Sequence, residues 1–356
     1  MPFILTIKHI HHLERRSYRI LKELGRGEYG IVVHAEKKTG DDLPAQVALK
    51  LTEKFESFQS ELRVFNLLGS HPNIVAHHGS FSDRFIHVIE LEYLSGQTLL
   101  DFLLTNGPLE ELLARHYFVQ LVSGMLHSHL VAGVAHRDIK AENLMICGQD
   151  LFILDWGMGL QITPGQYLSE ACGSPDYVAP ELYLRIPYRG TEVDVWAMGV
   201  VLYAMITGKF PFNGEDPSEI AIAVCRDNYW LPSEVSPALT DLLARMLSKD
   251  PGSRTTVREI QEHPWVAQMP TIGSPCPKRG REATVPDSKR HSHRSDLVPP
   301  LPIASERSMQ TLSLDQLSCL ENADQPQLKH HRRRRFSLQS IFRRKRTEPS
   351  STKLPL

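Results

Sequence analysis

The spacing of apolar residues changes once along the chain, close to residue 100, and this change constrains the fold more than any other feature. Ahead of it, short β-prone runs at 18–24, 31–36 and 46–51 are separated by turn chemistry, including Thr39-Gly40-Asp41-Asp42. One helix interrupts them, with Phe55, Phe58, Leu62 and Phe65 at three- and four-residue intervals. Past residue 110 the period is helical. Leu113, Phe118, Leu121, Val122, Met125 and Leu126 stripe one helix, and others are expected near 194–207, 218–226 and 236–248. Strands first and helices afterwards predict an α+β chain of two lobes with a cleft between them. No internal repeat is visible.

Charge sets the limit of the folded part. Residues 1–270 carry 23 Lys+Arg against 33 Asp+Glu, a balance of −10, while residues 271–356 carry 17 against 8, a balance of +9. The net charge of −1 for the 356-residue chain conceals this division. The last 86 residues hold nine prolines and seventeen Ser+Thr, with too little apolar surface to offset the entropy of ordering. An acidic folded body and a disordered basic tail are expected. Five cysteines, at 147, 172, 225, 276 and 319, form no CxxC pair and no zinc spacing, which fits free thiols in a reducing compartment. The opening residues lack a charged leader and a small-residue cleavage site, so no secretory signal is expected. The longest apolar run, at 195–206, falls short of the ~20 residues of a bilayer span and reads as a buried helix. A soluble protein of the cytoplasm, the nucleus or both is the expectation.

Several segments carry chemistry. In Gly25-Arg26-Gly27-Glu28-Tyr29-Gly30-Ile31-Val32 the glycines let backbone approach phosphate oxygens with no Cβ between them. A dinucleotide-binding loop has similar spelling but must open a helix. Here β-branched residues follow at once, so the loop turns into a second strand; taken alone, a simple hairpin is an equal reading. Val47-Ala48-Leu49-Lys50 places a lysine in an apolar strand, and Glu61 on the next helix is a candidate partner that would hold its ammonium against phosphates. Further on stand His136-Arg137-Asp138-Ile139-Lys140-Ala141-Glu142-Asn143, then Asp155-Trp156-Gly157, then Ala179-Pro180-Glu181.

In order and spacing these elements resemble the eukaryotic protein kinase family over about residues 18–266. His71-Pro72-Asn73-Ile74-Val75, Asp194-Val195-Trp196 with Gly199, Arg254 and His263-Pro264-Trp265 add to the resemblance, which is greatest to the calcium/calmodulin-dependent and AMP-activated kinase-like branch. The resemblance implies a bilobal fold, with an extension at 1–17, an N-lobe at 18–94, a C-lobe at 95–266 and the tail at 267–356. It implies ATP and Mg²⁺ as cofactors and protein Ser/Thr hydroxyls as acceptors, since Lys140 stands where tyrosine kinases lack a lysine. Gly25, Gly27 and Gly30 would cover the phosphates, and Lys50, held by Glu61, would contact them. Asp138 would accept the hydroxyl proton, Lys140 would neutralise the transferred group, and Asn143 and Asp155 would hold Mg²⁺. Val32, Ala48 and Met145 would sandwich adenine, with Leu91 as gatekeeper and Glu92 to Leu94 pairing with the adenine edge. Ordinary core packing is compatible with those last assignments.

There are departures. Trp156 replaces the family's usual Phe, the connection between Lys50 and Glu61 is abbreviated, and His77 stands where an apolar residue normally packs behind the helix. Glu170 occupies the position of a regulatory threonine whose phosphate pairs with the arginine before the catalytic aspartate, here Arg137; Ser169 beside it is the alternative phosphosite. A scaffold that binds nucleotide or partners without turnover is the alternative function, and a second alternative makes the tail the functional module.

In the tail, residues 330–346 read HHRRRRFSLQSIFRRKR. The basic clusters with apolar residues between them admit nuclear import, anionic-membrane binding or a calmodulin-like partner, with a solvated charged tail as the plain alternative. Ser337 has arginines at the second and third positions before it, a pattern basophilic kinases favour, and is a candidate for self-phosphorylation. Leu312 to Leu320 offers four leucines that suit a short docking helix, with a plain leucine-bearing stretch in disorder as the alternative. No nucleic-acid-reading fold is visible, and a monomer is expected.

Overall fold

The computed structural model describes residues 4–27, 30–38, 45–163 and 165–267. It opens with helix α1 (Ile7–Arg15), whose N-terminus is closed by a capping box between Thr6 and His9. Strands β1 (Tyr18–Arg26), β2 (Ile31–Lys37) and β3 (Ala45–Thr52) follow, then helix α2 (Phe55–Leu68) and strands β4 (His77–Ser82) and β5 (His87–Glu92). These five strands form one antiparallel sheet in the order β1-β2-β3-β5-β4. Only residues 53 and 54 separate β3 from α2, in keeping with the short spacing between Lys50 and Glu61.

Beyond the sheet the chain is mainly helical. In order come β6 (Gln97–Thr98), α3 (Leu99–Asn106), α4 (Glu111–Leu126), β7 (Val134–Ala135), β8 (Leu144–Cys147), β9 (Asp150–Ile153) and β10 (Leu160–Gln161). Then follow α5 (Pro180–Tyr183), α6 (Gly190–Thr207), α7 (Pro217–Arg226), α8 (Pro237–Met246), α9 (Val257–Glu262) and α10 (Pro264–Ala267). Side-chain oxygens of Asp216, Ser236 and Thr256 cap α7, α8 and α9, which is why those helices begin there. Helix α6 is apolar on every side, and from Val193 to Met205 all its residues are buried, so it forms the axis of the C-terminal lobe. Among the described residues no helix is long and apolar enough to cross a membrane.

Two hydrophobic cores result. The larger fills the helical lobe and continues through Phe58, Val64 and Phe65 of α2 to the inner face of the sheet. The smaller lies on the outer face, where Leu13 of α1 is fully buried among Tyr18, Ile31, Val33, Ile86 and Val88.

The structure adds one element and corrects the sequence reading in two places. The N-lobe at 18–94 has the one expected helix, and the extension before it holds α1, where histidines at buried and partly buried positions obscure the apolar period. On α4, Leu113 is exposed, and the buried face runs through Ala114, Tyr117, Phe118, Leu121, Val122 and Met125. Five residues separate Leu113 from Phe118, so the two cannot share a face. On α2, Phe55 is exposed and Leu62 half-buried, and the inward face is Phe58, Glu61, Val64, Phe65 and Leu68.

Candidate active site

Glu61 interrupts that apolar face because it has a partner. Lys50, pointing inward from β3, places its Nζ 2.7 Å from Glu61 Oε1 and 2.7 Å from Oδ1 of Asp155, in the loop after β9. Lys50 and Glu61 are largely shielded, whereas the Asp155 side chain is half exposed, with 51% of its surface free. The Lys50 ammonium holds the Asp155 carboxyl well below the usual carboxylate range. Burial works against the charge on Lys50, but Asp155 and Glu61 outweigh it, and the ammonium stays charged above its ordinary value. Asp155 has φ +51°, a conformation that short polar residues tolerate best. A Cβ on Gly157 would stand 3.3 Å from both Asp155 Oδ1 and Lys50 Nζ, so a side chain there would crowd the pair.

A second cluster lies in the loop between β7 and β8. The backbone N–H groups of His136 and Arg137 donate to the two oxygens of Asp194, at 2.8 and 2.7 Å, and His129 Nε2 lies 2.8 Å from Oδ2. Asp194 belongs to α6 and is buried, so the lobe's axial helix fixes the loop directly. Arg137 takes φ +65° to make this turn. Asp138 then meets three groups: Lys140 Nζ donates to its Oδ2 at 2.6 Å, Ser174 Oγ donates to its Oδ1 at 3.1 Å, and Asn143 Nδ2 donates to its Oδ2 at 3.1 Å. Lys140 Nζ also donates to Ser174 Oγ at 2.8 Å. Leu154 N–H donates to Asn143 O at 2.8 Å and His136 Nε2 lies 2.9 Å from Leu154 O, so Asp155 is held directly beside the loop that carries Asp138 and Asn143.

The glycine segment closes the other side. Gly27 N–H donates to Gly30 O at 2.9 Å, making a tight turn between β1 and β2. Gly30 is required by space, because a Cβ would come within 2.0 Å of Leu51 O. Nothing lies within 4 Å of a Cβ built on Gly25 or Gly27, so their backbone borders open space where phosphate oxygens have access. Ala48 and Leu91 are paired neighbours on β3 and β5, and both are buried. Val32 and Met145 are partly buried against the larger core, Leu94 is buried, and Glu92 N–H donates to Ala76 O at 2.8 Å.

The remaining sequence candidates divide. Arg137 donates from Nε to Met158 O at 2.9 Å, while burial works against its charge and Cys172, Tyr188 and Glu170 favour it. Ser169 and Glu170 are exposed, and the Tyr188 hydroxyl donates to Glu170 O at 2.7 Å. Ser337 lies outside the described residues. The two unusual aromatics pack differently: Trp156 is fully buried with its ring tilted 56° to that of His136 at 4.5 Å, and His77 stacks on Phe65 of α2 at 5.4 Å. Sequence reasoning gave no role to His129 or to the Glu181–Arg254 pair, two hydrogen bonds of 2.7 and 2.9 Å with almost no exposure. Arg254 and Glu181 each stood inside a recognisable motif, whereas nothing local marks His129.

The donors present suit a nucleotide with its magnesium. The Asn143 nitrogen is committed to Asp138, through its main-chain O at 2.9 Å as well as Oδ2, which leaves the amide oxygen for a cation, and Asp155 supplies an ionised carboxylate. Among the described residues no three His, Cys, Asp or Glu side chains converge on a metal position, so a magnesium ion here would need oxygens from a phosphate or water.

Comparison with known proteins agrees. The family model for the protein kinase domain matches residues 18–266. The chain is 38% identical over 266 residues to a Dictyostelium discoideum protein named "Probable serine/threonine-protein kinase MARK-A", covering 72% of this chain and 24% of that protein. It is 34% identical over 259 residues to the Arabidopsis thaliana SNF1-related protein kinase catalytic subunit alpha KIN12, covering 70% of this chain and 51% of the relative. It is 33% identical over 265 residues to serine/threonine-protein kinase SIK1 of Rattus norvegicus, covering 72% and 33%. The chain thus spans about half or less of the length of these relatives.

Proposed function

We propose that the chain, which belongs to the protein kinase family, transfers the γ-phosphoryl group of ATP to Ser/Thr hydroxyls of protein substrates with Mg²⁺ as cofactor. The observation that carries this reading is the convergence of the Lys50–Glu61–Asp155 and Asp138–Lys140–Asn143 clusters on one space bordered by the glycine turn. A scaffold without turnover has no need of both.

Each residue has a step that its contacts allow. Asp138 accepts from the side chains of Lys140, Asn143 and Ser174, and in this reading its carboxylate takes the proton of an incoming hydroxyl. Lys140 and Ser174 fix the orientation of that carboxylate, and Lys140 places a positive charge where negative charge grows on the transferred group. Glu61 holds Lys50 toward the phosphates. Asn143 and Asp155 would hold Mg²⁺, which would supply electrostatic neutralisation of the phosphate oxygens. In this reading the rate of transfer comes from positioning and charge, and the side chains form no covalent intermediate.

Substrate preference is moderately basic in this reading. The exposed Glu142 carboxylate beside the catalytic loop, which receives the Tyr177 hydroxyl at 3.2 Å, is one acid for an arginine; Thr98 and Ala204 supply none. The basic tail supports import into the nucleus or attachment to an anionic membrane, and the protein acts as a monomer in the cytoplasm, the nucleus or both. The test is a peptide-library phosphorylation assay on the full chain with Asp155→Asn as control. Wild type should transfer phosphate to Ser/Thr peptides, and the variant should lose at least two orders of magnitude of rate, as expected for removal of a preorganised charge. Equal inactivity of both would favour the scaffold.

A further inference from the structure

We propose that the groove between the loop after α7 and helix α8 binds the chain's own C-terminal extension, and that the occupant is the leucine-bearing segment at 309–320. This inference does not depend on the proposed activity. The groove has a volume of about 580 Å³ and is lined by Phe212, Tyr229, Leu231, Ala244, Leu247 and Lys249, among others. That is the size range of specific binding clefts. Trp230, between two lining residues, has 72% of its surface exposed, whereas Trp156, Trp196 and Trp265 have at most 1%. An indole in water beside an apolar groove marks an interaction surface.

The loop that presents the indole is tied down. The Tyr203 hydroxyl donates to Trp230 O at 2.6 Å, and Lys249 Nζ donates to Val224 O and Asp227 O at 2.8 and 2.5 Å while lying 4.8 Å from the centre of the Phe212 ring. Trp230 therefore sits on a prepared wall.

Three observations select the occupant. The described chain ends in α10, which packs on α8, and α8 supplies Thr240 and Ala244 to the groove, so the 89 residues at 268–356 begin at an element packed on one of its walls. As a random coil, about 40 residues would span roughly 35 Å, enough to cross the lobe, and would give a local concentration on the order of millimolar. Chemistry then separates the two apolar stretches of the extension. Residues 309–324, MQTLSLDQLSCLENAD, offer Met309, Leu312, Leu314, Leu317 and Leu320 with no Lys or Arg. The stretch at 336–342 is flanked by eight Arg and Lys, at 332–335 and 343–346. Asp227 and Lys249 balance within the groove, which offers an apolar wall to leucines and nothing to hold eight cations.

The experiment is acrylamide quenching of tryptophan fluorescence in the full chain. The wild type is compared with a triple variant, Leu312→Ser with Leu317→Ser and Leu320→Ser, whose changes leave the folded body untouched. The triple variant should quench with a Stern–Volmer slope at least twofold greater and emit further to the red. That difference should vanish when Trp230→Phe is added to both proteins. Equal slopes in wild type and triple variant overturn the proposal, as does a difference that survives Trp230→Phe. Loss of wild-type protection on dilution from micromolar to nanomolar would put a second copy in the groove and also overturn it. So would protection abolished by alanine at 332–335 while the leucine variant keeps it.

Discussion

Ser174 is the residue whose contacts say most about the chemistry, because its hydroxyl accepts from Lys140 and donates to Asp138 at once. Without it the carboxylate keeps Lys140 and Asn143 but loses the donor on Oδ1. Ser174→Ala should therefore lower kcat about tenfold with little change in the KM for ATP, since an orientation is lost rather than a binding group. Steady-state kinetics decide it; a raised KM with unchanged kcat would refute the positioning role. Glu170 supports a second expectation. Its backbone is held by the Tyr188 hydroxyl, and its charge favours the partly buried Arg137 guanidinium, which adjoins Asp138 in the chain. A carboxylate at the family's switch position supplies one charge and two oxygens where a phosphate supplies about two charges and three oxygens. Activity should need no upstream kinase: Glu170→Ala should lower it several-fold and Ser169→Ala hardly at all. If phosphatase silences the wild type while Glu170→Ala leaves it active, the loop is switched by phosphorylation.

At the scale of elements, α1 closes the outer face of the sheet through Leu13, which sits in a core separate from the one beneath the cleft. Leu13→Ala should cost about 3 kcal/mol of stability, the usual loss for a buried leucine. Urea unfolding measures it, and a change below about 0.5 kcal/mol, the range of surface substitutions, would mean that the helix is dispensable. The same element shows where sequence reading stops. Strands β1 to β3 and helices α7 and α8 were legible because their apolar periods are carried by local residues, and α6 because it is one long apolar run. Helix α1 was not, since His9 and His12 fill positions where a period would need aliphatic side chains. On α2 the inward face contains Glu61, tolerated only because Lys50 arrives from another strand, and a pattern of apolar residues cannot register that. The candidate site was largely legible because its residues stand in order-preserving motifs. The brace of Asp194 on His129, His136 and Arg137 was not, because it joins positions 57 to 65 residues apart.

The whole molecule divides its charge between a body of −10 at residues 1–270 and an extension of +9 at 271–356. Attraction between two such parts of one chain is intramolecular and raises the encounter rate of the extension with the acidic body. Ser337 stands within the cationic part, after Arg334 and Arg335, and Glu142 offers a carboxylate beside the catalytic loop. Self-phosphorylation of Ser337 follows as a prediction. The added phosphate would bring about two negative charges among the arginines and weaken binding to polyanions or to an import receptor. Salt should slow the modification, because exposed charges further apart than about 8 Å are screened at physiological ionic strength. Mass spectrometry after incubation with ATP and Mg²⁺ should find phosphate on Ser337 in the wild type and none in Asp155→Asn. The rate per molecule should stay constant as the protein is diluted, which separates reaction within one chain from reaction between chains. An unmodified Ser337 in a preparation that phosphorylates peptides would sink the prediction.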